Sequence, residues 1–392
     1  MKNILFVLYE DFHSNSALHV HHFANNLVKF GFDCVVAVPK NKQTVSMVGK
    51  HLANLYQVTE YGEFYRLNEC FKNQQGPDII HVWTPREVTR NYCHKLRKVY
   101  DFKLVIHLED NEEHVLEKYL NKPFEEIITA NGSLAIPDNV SHPQKYQEFL
   151  ASADGVTVII EKLKKFVPNN VPSLILWPGV ETEHFYPRNS NPEIAKKFGV
   201  PDNSLVFSYT GNVHAANTYE VRSLYLAVAI LNREGQPAVL IRTGRDFYNF
   251  LGDDDSWARQ YAIELGYVDR SLMPEILALA NVLIQPGRPD KFNDYRFPCK
   301  LPEFLAMGKP VILPATNIGL VMENHKDALV LPVVDAVNIV DSVKKLLNVD
   351  SNYKKLSEGS VNFAKTHLNW QENTKLLQSF YTDIEHGTKV SL

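Results

Sequence analysis

The strongest constraint on the fold is a repeated switch between two hydrophobic periods. Residues 3–8 form a short apolar run. The next apolar segment, 17–30, repeats at helical spacing as far as Gly31, and 34–38 is again a short run, closed by Pro39. Strand, helix and strand within this length make a βαβ unit, and such units build parallel sheets. The pattern resumes with strands at 78–83, 103–107 and 155–160 and a helix at 86–100. After a stretch punctuated by Pro178, Gly179 and Pro187 a second series begins. It has strands at 205–211, 238–244 and 282–286, a short element at 266–268, and helices at 220–233 and 273–280. Two α/β series on either side of a Pro/Gly crossing predict two doubly wound, Rossmann-like domains. The last segment, 362–385, is expected to be helical.

Length agrees with this division, since 392 residues are more than one core usually organises. Hydrophobic residues at 45% give each half enough to bury. With 41 basic and 45 acidic residues, no bulk electrostatic case for nucleic acid exists. The four cysteines (Cys34, Cys70, Cys93, Cys299) form no CxxC pair, which fits a reducing cytoplasm. The apolar run at 4–8 is too short for a membrane span. Lys162, Lys164 and Lys165 form a small basic cluster that leaves peripheral contact with the inner face of a membrane open.

The loop after the first strand lacks the GxGxxG of dinucleotide enzymes and reads His13-Ser14-Asn15-Ser16-Ala17. That argues against a nicotinamide or flavin oxidoreductase. His107 ends a strand, at the edge where open α/β sheets bind ligands. The following run, to His114, is rich in carboxylates, but its spacing matches no metal-ligand pattern. It reads as a loop entering a helix, with Glu109 or Asp110 able to meet a substrate. Trp83, Arg86 and Glu87 follow another strand and face the same side.

The best punctuated stretch is Pro298-Cys299-Lys300-Leu301-Pro302-Glu303-Phe304-Leu305-Ala306-Met307-Gly308-Lys309-Pro310, followed by an apolar strand at 311–313. Pro302 suits a first helical position, Glu303 a first turn, and Gly308 a C-terminal cap. N–H groups at the helix start beside Lys300 can hold an anion. Glu303 is placed to accept hydrogen bonds from a sugar diol.

The string KLPEFLAMGKPVI resembles the donor-site motif of family 4 glycosyltransferases of the GT-B fold (glycosyl transferases group 1). The segment 174–187, with Trp177-Pro178-Gly179-Val180 and Phe185-Tyr186-Pro187, is similar to the interdomain linker of those enzymes. The resemblance implies an N-terminal acceptor-side domain (1–176), a hinge (177–187), a C-terminal nucleotide-sugar domain (188–365) and a helix (366–392) returning to the first domain. The two domains would face each other across a cleft. The implied activity is hexosyl transfer, with retention, from a nucleotide-diphosphate sugar to a hydroxyl of a glycan, lipid or small-molecule acceptor. No metal and no resident cofactor is implied.

Carried over residue by residue, the resemblance puts Glu303 on the ribose, Lys300 with the N–H groups of Phe304 and Leu305 on the phosphates, and Leu301 among the donor-binding residues. Gly211 and Asn212 would line the donor, Tyr267 and Val268 the base, and His107 the reacting sugar. Ser16 and Glu109 would lie on the acceptor side. The chain departs from the family in two places. It lacks the Arg/Lys pair after the first C-terminal strand, reading Gly211-Asn212-Val213-His214 instead. Arg245, Arg288, Arg296 and Lys300 are candidate substitutes, Arg245 first after Lys300, with Arg288 and Arg296 read as surface residues. The first of the two family glutamates is also missing, and Asp294 is the candidate for its place. These departures leave two alternatives open: a GT-B protein that binds nucleotide-sugar or a partner without turnover, and a GT-B sugar epimerase.

Overall fold

A computed structural model of the chain describes residues 1–48, 53–130, 134–347 and 350–387. It divides into two compact units, Met1–Pro178 with Trp370–Leu392, and Gly179–Asn369.

In the first unit the chain runs β1 (Asn3–Leu8), α1 (Asn15–Lys29), β2 (Asp33–Val38), β3 (Gln57–Glu60), β4 (Ile79–Trp83), α2 (Glu87–Leu96) and β5 (Lys103–Leu108). It continues through α3 (Glu112–Leu120), α4 (Phe124–Thr129), α5 (Lys145–Ala151), β6 (Gly155–Val158) and β7 (Ser173–Ile175). Among the described residues these strands form one sheet in the order β3-β2-β1-β4-β5-β6-β7, every pairing parallel. Every residue of β1 and β2 is buried, as expected of parallel strands covered on both faces.

The second unit contains α6 (Pro192–Phe198), β8 (Leu205–Thr210), α7 (Thr218–Arg233), β9 (Ala238–Thr243), β10 (Ala262–Gly266), α8 (Met273–Leu279) and β11 (Val282–Ile284). Then come α9 (Leu301–Ala306), β12 (Val311–Pro314), β13 (Leu329–Leu331), α10 (Ala336–Leu347) and α11 (Asp350–His367). Its described strands are again all parallel, in the order β10-β9-β8-β11-β12-β13. Alternate β8 residues serve opposite cores: Phe207 and Tyr209 pack with Leu224, Tyr225 and Val343, and Val206 with Ile276 and Leu279. Each sheet has the Rossmann order, with a switch point where successive crossovers turn in opposite directions, at β1/β4 and at β8/β11.

The structure corrects the sequence reading in several places. The C-terminal segment is two helices, α11 and α12 (Trp370–His386), and not one. The break has a visible cause: Leu368 is buried and its carbonyl accepts from the Val180 N–H (2.9 Å) instead of continuing a helix. Residues 388–392 of the expected final helix lie outside the described residues. Of the element expected at 266–268 only Gly266 is strand, the last residue of one that begins at Ala262, and Tyr267 and Val268 follow it as loop. That strand, β10, is a half-exposed edge strand, as is the unanticipated β3, so neither shows the continuous apolar run that marks a buried strand. Residues 15–17 are not loop. Ser14 caps α1 by accepting from the Ala17 N–H at 3.2 Å, which puts Ser16 in the first helical turn.

Helix α12 belongs to the first unit and packs on α1: Trp370 stacks on His22 (4.4 Å) and meets Phe23 edge-on (5.2 Å). Gly155 makes the close approach possible further along. A methyl group there would stand 2.4 Å from Ile384 and 2.9 Å from Phe380.

Candidate functional site

In the first unit the ends of β1, β4 and β5 converge at the switch point. Glu109, just past β5, accepts from the Trp83 indole N–H (2.7 Å) and from the Ser16 hydroxyl, and its other contact is His19 Nδ1 at 3.2 Å. Burial alone would raise this carboxyl, but the hydrogen bond and charge of His19, with the hydrogen bond from Ser16, outweigh it and hold the group at about 2. Glu109 is therefore a fixed anion near neutral pH. It can accept a hydrogen bond from a hydroxyl and is too weak a base to take its proton.

Arg86 lies against the Tyr9 ring (3.9 Å) and between Glu112 (3.5 Å) and Asp110 (3.9 Å). Between Trp83 and Arg86, Thr84 has φ 75. A β-branched residue in that region is strained, and such strain collects at functional sites. The sequence placed Ser16 and Glu109 on one side of the site, and the structure brings them into contact. His107, expected at the reacting sugar, lies near the end of β5. It is fully buried, stacked on Trp83 (4.0 Å) and bonded through Nδ1 to Thr157 Oγ1 (2.8 Å). Burial lowers it to about 3, so it is a neutral imidazole beneath Glu109.

In the second unit Gly211 and Gly244 end adjacent strands with φ 142 and 102. A Cβ on Gly244 would lie 2.3 Å from the Gly211 carbonyl oxygen, so only glycine lets the two strand ends close together. Asn212 joins the same edge, its Oδ1 accepting from the Arg245 N–H at 2.8 Å. Lys300 comes up against Gly211, with Nζ 3.4 Å from the Tyr209 hydroxyl.

Lys300 is accompanied by Arg296, and both, after burial, depress His214 to about 4. Arg296 is pinned by Asn293 Oδ1 (2.7 Å), by Glu220 in the first turn of α7 (3.4 Å) and by the Phe292 ring (4.0 Å). The reading of Arg296 as a surface residue is thus overturned. Arg245, the earlier first substitute, is exposed and lies 5.6 Å over the Tyr267 ring, which is itself 72% exposed. Arg288 is exposed over Tyr219. Val268 packs beneath this edge with Ile263 and Leu272. Asp294 Oδ1 accepts from the Thr316 hydroxyl.

Glu303 is held by a partner that sequence reasoning missed. Arg270, just after β10, donates to Glu303 Oε1 at 2.7 Å and to Glu181 Oε2 at 2.8 Å. Burial raises the Glu303 carboxyl, and Arg270 opposes the rise. Nothing local in the sequence signals this pair, because its members lie 33 residues apart.

The expectation for the helix N–H groups is corrected. Leu301 donates to the Pro298 carbonyl (2.9 Å) and Phe304 to that of Lys300 (3.0 Å). Leu305 is the fifth residue of α9, beyond the four whose donors a helix leaves open. The side chains of all three are buried. Lys300 and Arg296 are cations at this end of α9. Among the described residues, no three His, Cys, Asp or Glu side chains gather as a metal site. Within the same residues, no helix is long and apolar enough to cross a membrane.

Comparison with known proteins bears on these two sites. Residues 204–349 match the family model described as Glycosyl transferases group 1. No curated protein matches the sequence. Solved structures match along nearly the whole chain. Sucrose-phosphate synthase from Thermosynechococcus elongatus has a TM-score of 0.68 at 13% identity, covering 99% of this chain and 100% of that one. A glycosyltransferase from Rickettsia africae scores 0.70 at 14% identity, with 98% of each chain covered. Anabaena HepE, in complex with UDP and glucose, scores 0.68 at 12% identity, covering 98% of this chain and 100% of the other. At these identities the structures speak for the fold, and the family match covers the unit that carries Lys300 and Glu303. Two parallel sheets of Rossmann order, matched along nearly the whole chain by these structures, give the chain the GT-B fold, and its residues 204–349 match the group 1 glycosyltransferase model.

Proposed function

We propose that the protein transfers a hexose, with retention of configuration, from a nucleoside-diphosphate sugar to a hydroxyl of a glycan, lipid or small-molecule acceptor. The observation that carries this reading is the arrangement of Lys300 and Glu303. An ammonium sits against Gly211 at the carboxyl edge of the second sheet, and a buried carboxylate follows it one turn along α9. Lys300 and Arg296 offset the diphosphate charge as it leaves, the role that the family's missing Arg/Lys pair would otherwise fill. Glu303, with Oε1 engaged by Arg270, offers Oε2 to a ribose hydroxyl. Gly211 and Asn212 line the donor, and Tyr267 and Val268 meet its base. In the first unit Ser16 and Glu109 orient the acceptor hydroxyl.

Cations offset the diphosphate charge, so in this reading the reaction needs no resident metal or cofactor. Four free cysteines fit a reducing, cytoplasmic setting. The structural neighbour crystallised with UDP and glucose supports a uridine donor as the first to try.

The test is a binding series with UDP, GDP and ADP and their glucose derivatives, followed by thermal shift. One nucleoside diphosphate is expected to stabilise the protein. Glu303→Gln should weaken it at least fivefold without changing the response to inorganic diphosphate, and Lys300→Ala should weaken both. Unchanged nucleotide affinity in Glu303→Gln would overturn the ribose assignment.

A further inference from the structure

One chain of buried polar groups crosses the first unit beneath its site. The Tyr381 hydroxyl on α12 lies 2.7 Å from His81 Nδ1, His81 Nε2 lies 3.0 Å from Thr157 Oγ1, and Thr157 Oγ1 lies 2.8 Å from His107 Nδ1. All four residues are at most 1% exposed. The sheet register explains the meeting: His107 stands opposite Thr157 on β6 and opposite Trp83 on β4, and His81 is two residues before Trp83 on the same face. Gly155, two residues before Thr157, has no side chain to keep α12 from this face.

The direction of the chain follows from counting protons. Each neutral imidazole carries one N–H, and each hydroxyl has one hydrogen to give. If Tyr381 donates to His81, then His81 donates through Nε2 to Thr157, and Thr157 donates to His107 Nδ1. One group, the His107 Nε2–H, is then left without a partner, and that nitrogen has none among the described residues. In the reverse direction the Tyr381 O–H and the His107 Nε2 lone pair are both stranded. The same holds, with the Thr157 O–H in place of Tyr381, if both histidines donate to Thr157. Buried polar groups that go unpaired are costly, so the first arrangement wins. Burial keeps both imidazoles neutral and the Tyr381 phenol protonated, as the scheme requires.

We propose that Tyr381, His81 and Thr157 are positioning residues that fix His107 as its Nε2–H tautomer, leaving it able to donate a hydrogen bond and unable to accept one at that nitrogen. The chain carries the placement of α12 into the chemistry of the strand end beneath Glu109. Its effect on turnover rests on the transferase reading above, but the tautomer itself does not.

The experiment is ring-nitrogen NMR on protein labelled with 15N-histidine, with His107 assigned by its loss in His107→Gln. In the unsubstituted protein His107 is expected as pure Nε2–H tautomer. Tyr381→Phe removes the donor that sets the direction. Both directions then strand one donor and one acceptor, so the His107 signals should move to those of a mixture. With the donor found above, Tyr381→Phe should lower kcat about tenfold with KM for the donor unchanged. An Nδ1–H or mixed His107 in the unsubstituted protein, or an unaltered tautomer in Tyr381→Phe, overturns the proposal. An altered tautomer with unchanged kcat overturns the positioning role alone and leaves the transferase reading standing.

Discussion

Glu109 shows how much one residue's surroundings decide. Its carboxyl is at about 2 in the folded chain, below its ordinary value of 4.5, because His19 and Ser16 outweigh its burial. A carboxyl whose folded value is depressed contributes stability above its unfolded value, and that stability is lost as pH falls toward the folded one. The contribution is at most about 3 kcal/mol, lost between about pH 4.5 and pH 2. His107, lowered to about 3, acts in the same sense: its stabilisation is full above about pH 6.5 and fades toward pH 3. Glu109→Gln should therefore unfold at lower urea concentration at pH 7 but show a flatter acid limb below pH 4.5. Parallel limbs for the two proteins would show that Glu109 titrates normally. The sequence pointed to Glu109 and Ser16 by their place after strands. It could not show that His107 lies under them, because burial at a strand end depends on which ring covers it, here Trp83.

At the scale of elements, short helices and strand ends were legible and their free groups were not. Helix α9 and strand β12 appear where Pro302, Gly308 and the run at 311–313 place them, and Gly308 takes φ 65. What failed was the inference that helix N–H groups there are available, since the Lys300 and Pro298 carbonyls take those of Phe304 and Leu301. Pairing of α12 with the sheet is the second lesson of this scale. Gly155→Val would drive a side chain into Ile384 and Phe380. The cost is expected at about 1–3 kcal/mol, typical of overpacking, read as a lower urea midpoint with an unchanged slope. An unchanged midpoint would mean that α12 is not seated on β6.

For the molecule as a whole, the chain leaves the first unit at Pro178 and re-enters it at Trp370. Trp370, Leu377, Phe380, Tyr381 and Ile384 complete a core with Phe6, Phe23 and Trp83. Ending the chain at Asn369 should raise hydrogen exchange in β1, β4 and α1 by orders of magnitude and leave β8, β9 and β11 as they were. Equal loosening of both units would contradict that assignment. The sequence by itself determined two parallel α/β sheets, the strand ends beside Glu109 and Gly211, the helix starts at Ser16 and Lys300, and a resemblance to the group 1 donor motif. Those properties are local, fixed by apolar period, by proline and glycine, and by short motifs. Only the tertiary structure decided that Arg270 holds Glu303, that Arg296 and not Arg245 accompanies Lys300, and that Tyr381 reaches His81. Each of these joins residues distant in the chain, and such contacts are set by packing, which no local pattern encodes.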